Sequence, residues 1–210
     1  MENKKASNKS TLIILGLFSL MTGLSGSSVT LALPQLSEGF HVTNGAATWA
    51  VLIGVITTAV FLVLFGHFGD LLSKEDVFLY GGIGFTLGSL ISGIAPVYSI
   101  LLVGRFVQAI GTAMIMANSM VIVTEAFPAS ARGKAIAAVS MFISVGTVSG
   151  PAIGGLILSV SSWRWIFLIN VPLAILLTFF GCRFLFTTKI TMADLKSLVV
   201  NYSGNKFPGF

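Results

Sequence analysis

Arg105 places a permanent cation inside an apolar stretch of this 210-residue chain. It lies about 8 residues into the run Val97 to Ala117, roughly 12 Å of helix rise from the start. A charge at the centre of a membrane helix costs about 2.5–3.5 kcal/mol on insertion scales, so it is normally met by a partner or a cavity. Gln108 and Thr112, three and seven residues on, share its helical face. Two readings are open: an arginine snorkelling to the outer interface, or a polar stripe lining a substrate or ion pathway. A second constellation is Gly146-Thr-Val-Ser-Gly150-Pro151-Ala-Ile-Gly154-Gly155. Glycines at i, i+4 and i+8 form a smooth groove into which another helix backbone can press. Pro151 cannot donate to the carbonyl of Thr147, which permits a bend. A third lies in Gly66 to Asp76. There Asp70 pairs with Lys74, meets the positive end of a neighbouring helix, or is an ordinary solvated loop charge.

Other chemistry is poorly supplied. Glu2, Glu38, Asp70, Glu75, Asp76, Glu125 and Asp194 all fall in loops or at the ends of apolar runs, so no mid-membrane carboxylate offers a proton relay. His41 and His67 are far apart and Cys182 is single, which leaves no metal set and no disulfide framework. No glycine loop ending in Lys-Ser or Lys-Thr and no nucleophile elbow occurs, so no enzyme chemistry, cofactor or nucleic-acid partner is expected.

The elements that must hold these residues follow from composition. The chain is 55% hydrophobic and 9% charged, against about 25% charged residues in a soluble domain. Its solvent is therefore a lipid bilayer, where a spanning helix needs about 20 apolar residues. Six runs meet that need: Leu12 to Leu33, Ala46 to Phe65, Val77 to Ala95, Val97 to Ala117, Ala135 to Val160 and Trp165 to Phe186. Lys4, Lys5 and Lys9 precede the first, but its apolar core is too long for a cleaved signal. Ten of the 12 basic residues fall before span one, between spans two and three or four and five, or in the last turn of span six and beyond it. The positive-inside rule then puts both termini in the cytoplasm. The chain divides into residues 1–11, a six-helix domain over 12–186 and a polar tail over 187–210. Twenty-three glycines, many within spans, predict closely packed helices rather than independent anchors.

Taken together, these motifs resemble the major facilitator superfamily, specifically its fourteen-helix multidrug/proton antiporters. The run Gly146 to Gly155 matches the antiporter signature without a gap. Arg105, Gln108 and Gly111 match the arginine motif of helix four, with Ala109 where glycine is usual. Gly66 and Asp70 match the loop motif between helices two and three. Ala32-Leu33-Pro34, Trp49 and Trp163-Arg164-Trp165 to Pro172 add to the likeness.

The resemblance implies an all-α membrane protein with the N-terminal half of a facilitator fold, built as two inverted three-helix repeats. It implies export of hydrophobic or cationic small molecules across the plasma membrane, driven by the proton gradient. Arg105, with Gln108 and Thr112, would serve proton coupling and line the cavity. Gly146, Gly150, Pro151, Gly154 and Gly155 would shape the interface between halves. Gly66, Asp70 and Lys74 would form a conformational latch. The sequence departs from the family in three respects. Ser73-Lys74-Glu75 replaces a glycine followed by two basic residues. Ser25 stands where many relatives carry an aspartate. Only six spans are present, so a fragment, an interrupted frame or a homodimer of halves is expected to account for the missing second half.

Overall fold

Hydrophobic runs of 20 residues or more in lipid satisfy their backbone polar groups only by becoming helices, and helices are what the chain forms. The computed structural model describes residues 2–71 and 73–185, with side chains described for 10–66 and 73–183. Its elements are α1 (Glu2–Phe40), α2 (Asn44–Leu71), α3 (Lys74–Gly93), α4 (Tyr98–Ala126), α5 (Ala129–Val160), α6 (Arg164–Leu168) and α7 (Asn170–Leu185), with no strand among the described residues. The predicted six-span arrangement is present, α6 and α7 together forming the sixth. Five of the spans are long and apolar enough to cross a membrane by composition alone. α3 is not among them: it has only 20 residues, three of them the charged Lys74, Glu75 and Asp76, and its glycines and serines dilute the rest.

Several boundaries differ from those read in the sequence. The segment from Pro34 to Gly45 is not a loop: α1 passes through Pro34 to Phe40. Beyond the proline, Leu36 is fully buried and Gln35 Nε2 donates to Leu158 O of α5 at 3.5 Å, so packing outweighs one lost backbone bond. Span four continues past Ala117 to Ala126. Asn118 Nδ2 and Ser119 Oγ donate to Met114 O and Ile115 O at 2.9 and 2.7 Å, turning their polarity back onto their own helix. Likewise α2 runs on to Leu71 and α5 begins at Ala129, so the α2–α3 and α4–α5 connections are far shorter than the polar segments suggested. Phe186, the predicted end of span six, lies outside the described residues.

Within the fold α3 packs along α4, α1 along α5, and α2 against α4. Apolar side chains gather in two clusters. One holds Leu15, Phe18, Phe78, Phe85, Ile115 and Val139; the other holds Val29, Leu36, Leu101, Trp163 and Phe167. Along α1, α3 and α4 the residues between these clusters are polar and buried: Ser25, Ser28, Ser89, Ser92, Arg105 and Gln108. Two dry cores thus bracket one polar layer. The outward faces are apolar, with Val63 77%, Val148 79% and Val160 86% exposed.

Candidate functional site

The polar layer is assembled by glycines. Gly88 of α3 lies so close to α4 that an added Cβ would strike the backbone of Gln108, and Gly111 sits equally close to the backbone of Phe85. This backbone contact brings Ser89 within reach of Gln108. On the opposite side of α4, Gly54 of α2 leaves room for the guanidinium: a Cβ there would lie 2.5 Å from Arg105 Nη2.

The network built on that scaffold joins four helices. Arg105 Nε donates to Ala50 O at 2.8 Å, and Nη1 donates to Gln108 Oε1 at 2.5 Å. Gln108 Nε2 donates to Ser89 Oγ at 2.7 Å and Ser25 Oγ at 3.2 Å. The guanidinium carbon stands 5.9 Å from the centre of the Phe167 ring, within cation–π range. Arg105 is 6% exposed and Gln108 1%. The arginine is therefore held inward and does not snorkel to the outer interface. Both residues, with Thr22, Ser25, Thr58 and Thr112, line a cavity of about 290 Å³. Thr112 lies on the predicted stripe, but its hydroxyl donates to Gln108 O at 3.0 Å. Sequence reasoning missed Ala50, Gly54 and Ser89. The signal for Gly54 was a lone glycine in an otherwise β-branched and apolar run.

The glycine run of α5 meets α1. Cβ atoms at Gly146 and Gly150 would collide with Leu20 O, Leu24 O and Ser27 Oγ, and one at Gly154 would lie 3.1 Å from Ser28 Cβ. Ser28 Oγ sits 2.8 Å from Gly150 O and from Leu24 O, sharing its proton between them. Gly155 is half-buried and faces Leu31 at a distance. α5 passes through the exposed Pro151 without a break.

Near the C-terminal end of α2, Gly66 is half-buried. Asp70 falls in the last turn of α2, and its side chain lies outside the described residues. Lys74 opens α3 and forms an ion pair with Glu125 near the end of α4, a partner the sequence did not suggest. Ser73 caps α3, its Oγ accepting from Asp76 N at 3.4 Å. No cluster of histidine, cysteine or acidic residues that could hold a metal ion occurs among the described residues.

Comparison with known proteins decides the family. Residues 13–199 match the Major Facilitator Superfamily. The chain belongs to that superfamily. This facilitator chain is 34% identical over 174 residues to the riboflavin transporter RibZ of Clostridioides difficile, covering 83% of itself and 38% of that protein. It is 35% identical over 170 residues to the multidrug resistance protein Stp of Mycobacterium tuberculosis, covering 80% of itself and 32% of the relative. It is 32% identical over 163 residues to the lincomycin resistance protein of Streptomyces lincolnensis, covering 78% of itself and 34% of the relative. The facilitator chain thus spans about a third of the length of these curated relatives. Its fold matches a bacterial homologue of the human lysosomal transporter Spinster in an inward-facing conformation. The TM-score is 0.70 at 19% identity, over 87% of this chain and 43% of that one. Half a facilitator fold is the architecture these matches establish.

Proposed function

We propose that the chain forms one wall of a proton-driven exporter of hydrophobic small molecules in the plasma membrane, with both ends of the six-helix unit cytoplasmic. The carrying observation is the buried Arg105–Gln108 network lining a cavity among α1, α2, α3 and α4. A polar layer between two apolar cores is expensive in lipid unless it meets a solute or an ion. The opposite wall comes from a second six-helix half or a second copy, and alternating access arises as one half rocks against the other. In this mechanism Arg105 takes part in proton coupling by holding a fixed positive charge beside the solute path. The packed face of Gly146, Gly150 and Gly154 keeps α5 rigid against α1, and Gly66, Asp70 and Lys74 act as the cytoplasmic latch. Relatives named for multidrug and lincomycin resistance support export. The relative named a riboflavin transporter supports a second reading, movement of a larger polar-aromatic metabolite through the same path.

The test is efflux of Nile red, an uncharged hydrophobic dye, from energised cells expressing the chain. Faster loss of dye than in vector controls, stopped by an uncoupler and by Arg105→Ala, is expected. Efflux equal to the vector, with the protein present in the membrane, overturns the reading.

A further inference from the structure

The cavity carries a net positive charge with nothing acidic to answer it. Among the described residues no carboxylate pairs with Arg105, and the acceptors of its bonds are the neutral Ala50 O and Gln108 Oε1. A guanidinium has five N–H donors; those two bonds occupy one on Nε and one on Nη1. No further acceptor among the described residues takes the remaining Nη hydrogens. Apart from the Ser25 hydroxyl, which accepts from Gln108 Nε2, the other side-chain polar hydrogens of the cavity are already placed. Thr22, Thr58 and Thr112 donate to helix carbonyls at 2.9, 3.4 and 3.0 Å, and Gln108 Nε2 is taken by Ser25 and Ser89. The donors left for the cavity are therefore the Nη hydrogens of one cation and the neighbouring Ser25 hydroxyl. A guanidinium fork binds a carboxylate or another flat anionic oxygen pair through two parallel bonds, and repels an ammonium brought into the same low-dielectric space.

We infer that this cavity takes a hydrophobic molecule through an anionic oxygen group, a carboxylate or an ionised enol or phenol, bound by the Nη hydrogens of Arg105. This rests on the transport reading above and names its substrate class. It departs from the cationic cargo that the sequence resemblance implies, because the cavity lining holds a guanidinium and no carboxylate.

The chain in phosphatidylcholine nanodiscs is titrated with 2-naphthoate, 2-naphthamide and 2-naphthylmethylammonium by calorimetry, with empty nanodiscs as reference. Naphthoate is expected to bind about 10-fold or more tighter than the amide, as charge-assisted bonds are about twice as strong as neutral ones, and the ammonium weakest. Arg105→Lys should keep the order with a smaller ratio, and Arg105→Gln should remove it. Ser25→Asp, which leaves Arg105 in place and adds a carboxylate to the network, should also abolish the naphthoate preference. Equal binding of the three probes, preference for the ammonium, or a naphthoate preference that survives Arg105→Gln or Ser25→Asp overturns the inference. Nile red efflux is read separately, so the charge preference can fail while the transport reading stands.

Discussion

At the scale of single residues, the cost of the site is concentrated in Gln108 and Gly54. Gln108 is both the acceptor for Arg105 Nη1 and the donor to Ser25 and Ser89. Gln108→Leu leaves a buried guanidinium short of an acceptor, and an unmet buried polar group costs about 1–3 kcal/mol, more when charged. Thermal unfolding in detergent, followed by tryptophan fluorescence, should therefore show a lower midpoint for Gln108→Leu than for the surface control Val63→Leu. Gly54→Leu fills the space beside Arg105 Nη2 and should depress dye efflux as far as Arg105→Ala does, although residue 54 carries no functional group. Normal efflux from the Gly54→Leu variant would mean the guanidinium does not need that space. Arg105 stood out in the sequence because a charge in an apolar run is conspicuous. Gly54 did not, since only the packed neighbour gives its missing side chain a meaning.

At the scale of elements, backbone contact along glycine stripes sets how the helices pair. In lipid, close van der Waals approach replaces the hydrophobic driving force available in water. Gly88 and Gly111 fasten α3 to α4, and Gly146 and Gly150 fasten α5 to α1. Gly150→Leu and Gly88→Leu should each destabilise the fold toward the upper end of the about 1–3 kcal/mol typical of overpacking. Gly133→Leu, where a Cβ meets open space, should change the unfolding midpoint little. The α1–α2 connection adds a smaller effect. His41 has φ of 52°, in the left-handed region that disfavours branched side chains. His41→Val should cost about 1 kcal/mol, as left-handed backbone does for L residues, and His41→Gly should cost nothing.

At the scale of the whole molecule, the distribution of basic residues predicts how the chain sits in the membrane. The proposed topology puts the turn at Thr43 outside and the α2–α3 connection inside. In a Cys182→Ser background, Thr43→Cys should react with a membrane-impermeant maleimide in intact cells. Ser73→Cys should react only after permeabilisation. The reverse pattern would invert the orientation inferred from the basic residues. It would also place the Lys74–Glu125 ion pair on the outer side, where no latch facing the cytoplasm could form.

The sequence by itself determined the solvent, the helix number, the superfamily resemblance and the exceptional status of Arg105, because hydropathy and an isolated charge act locally along the chain. It also carried the glycine groove of α5, since i, i+4 spacing defines a helix face without reference to any partner. Tertiary structure alone decided that α1 fills that groove and that α1 runs on through Pro34. It also decided that Arg105 turns inward to Ala50 and Gln108 instead of outward to the interface. Those outcomes depend on which backbones lie side by side, and that is settled by contacts between residues as far apart in the chain as Ser28 and Gly150.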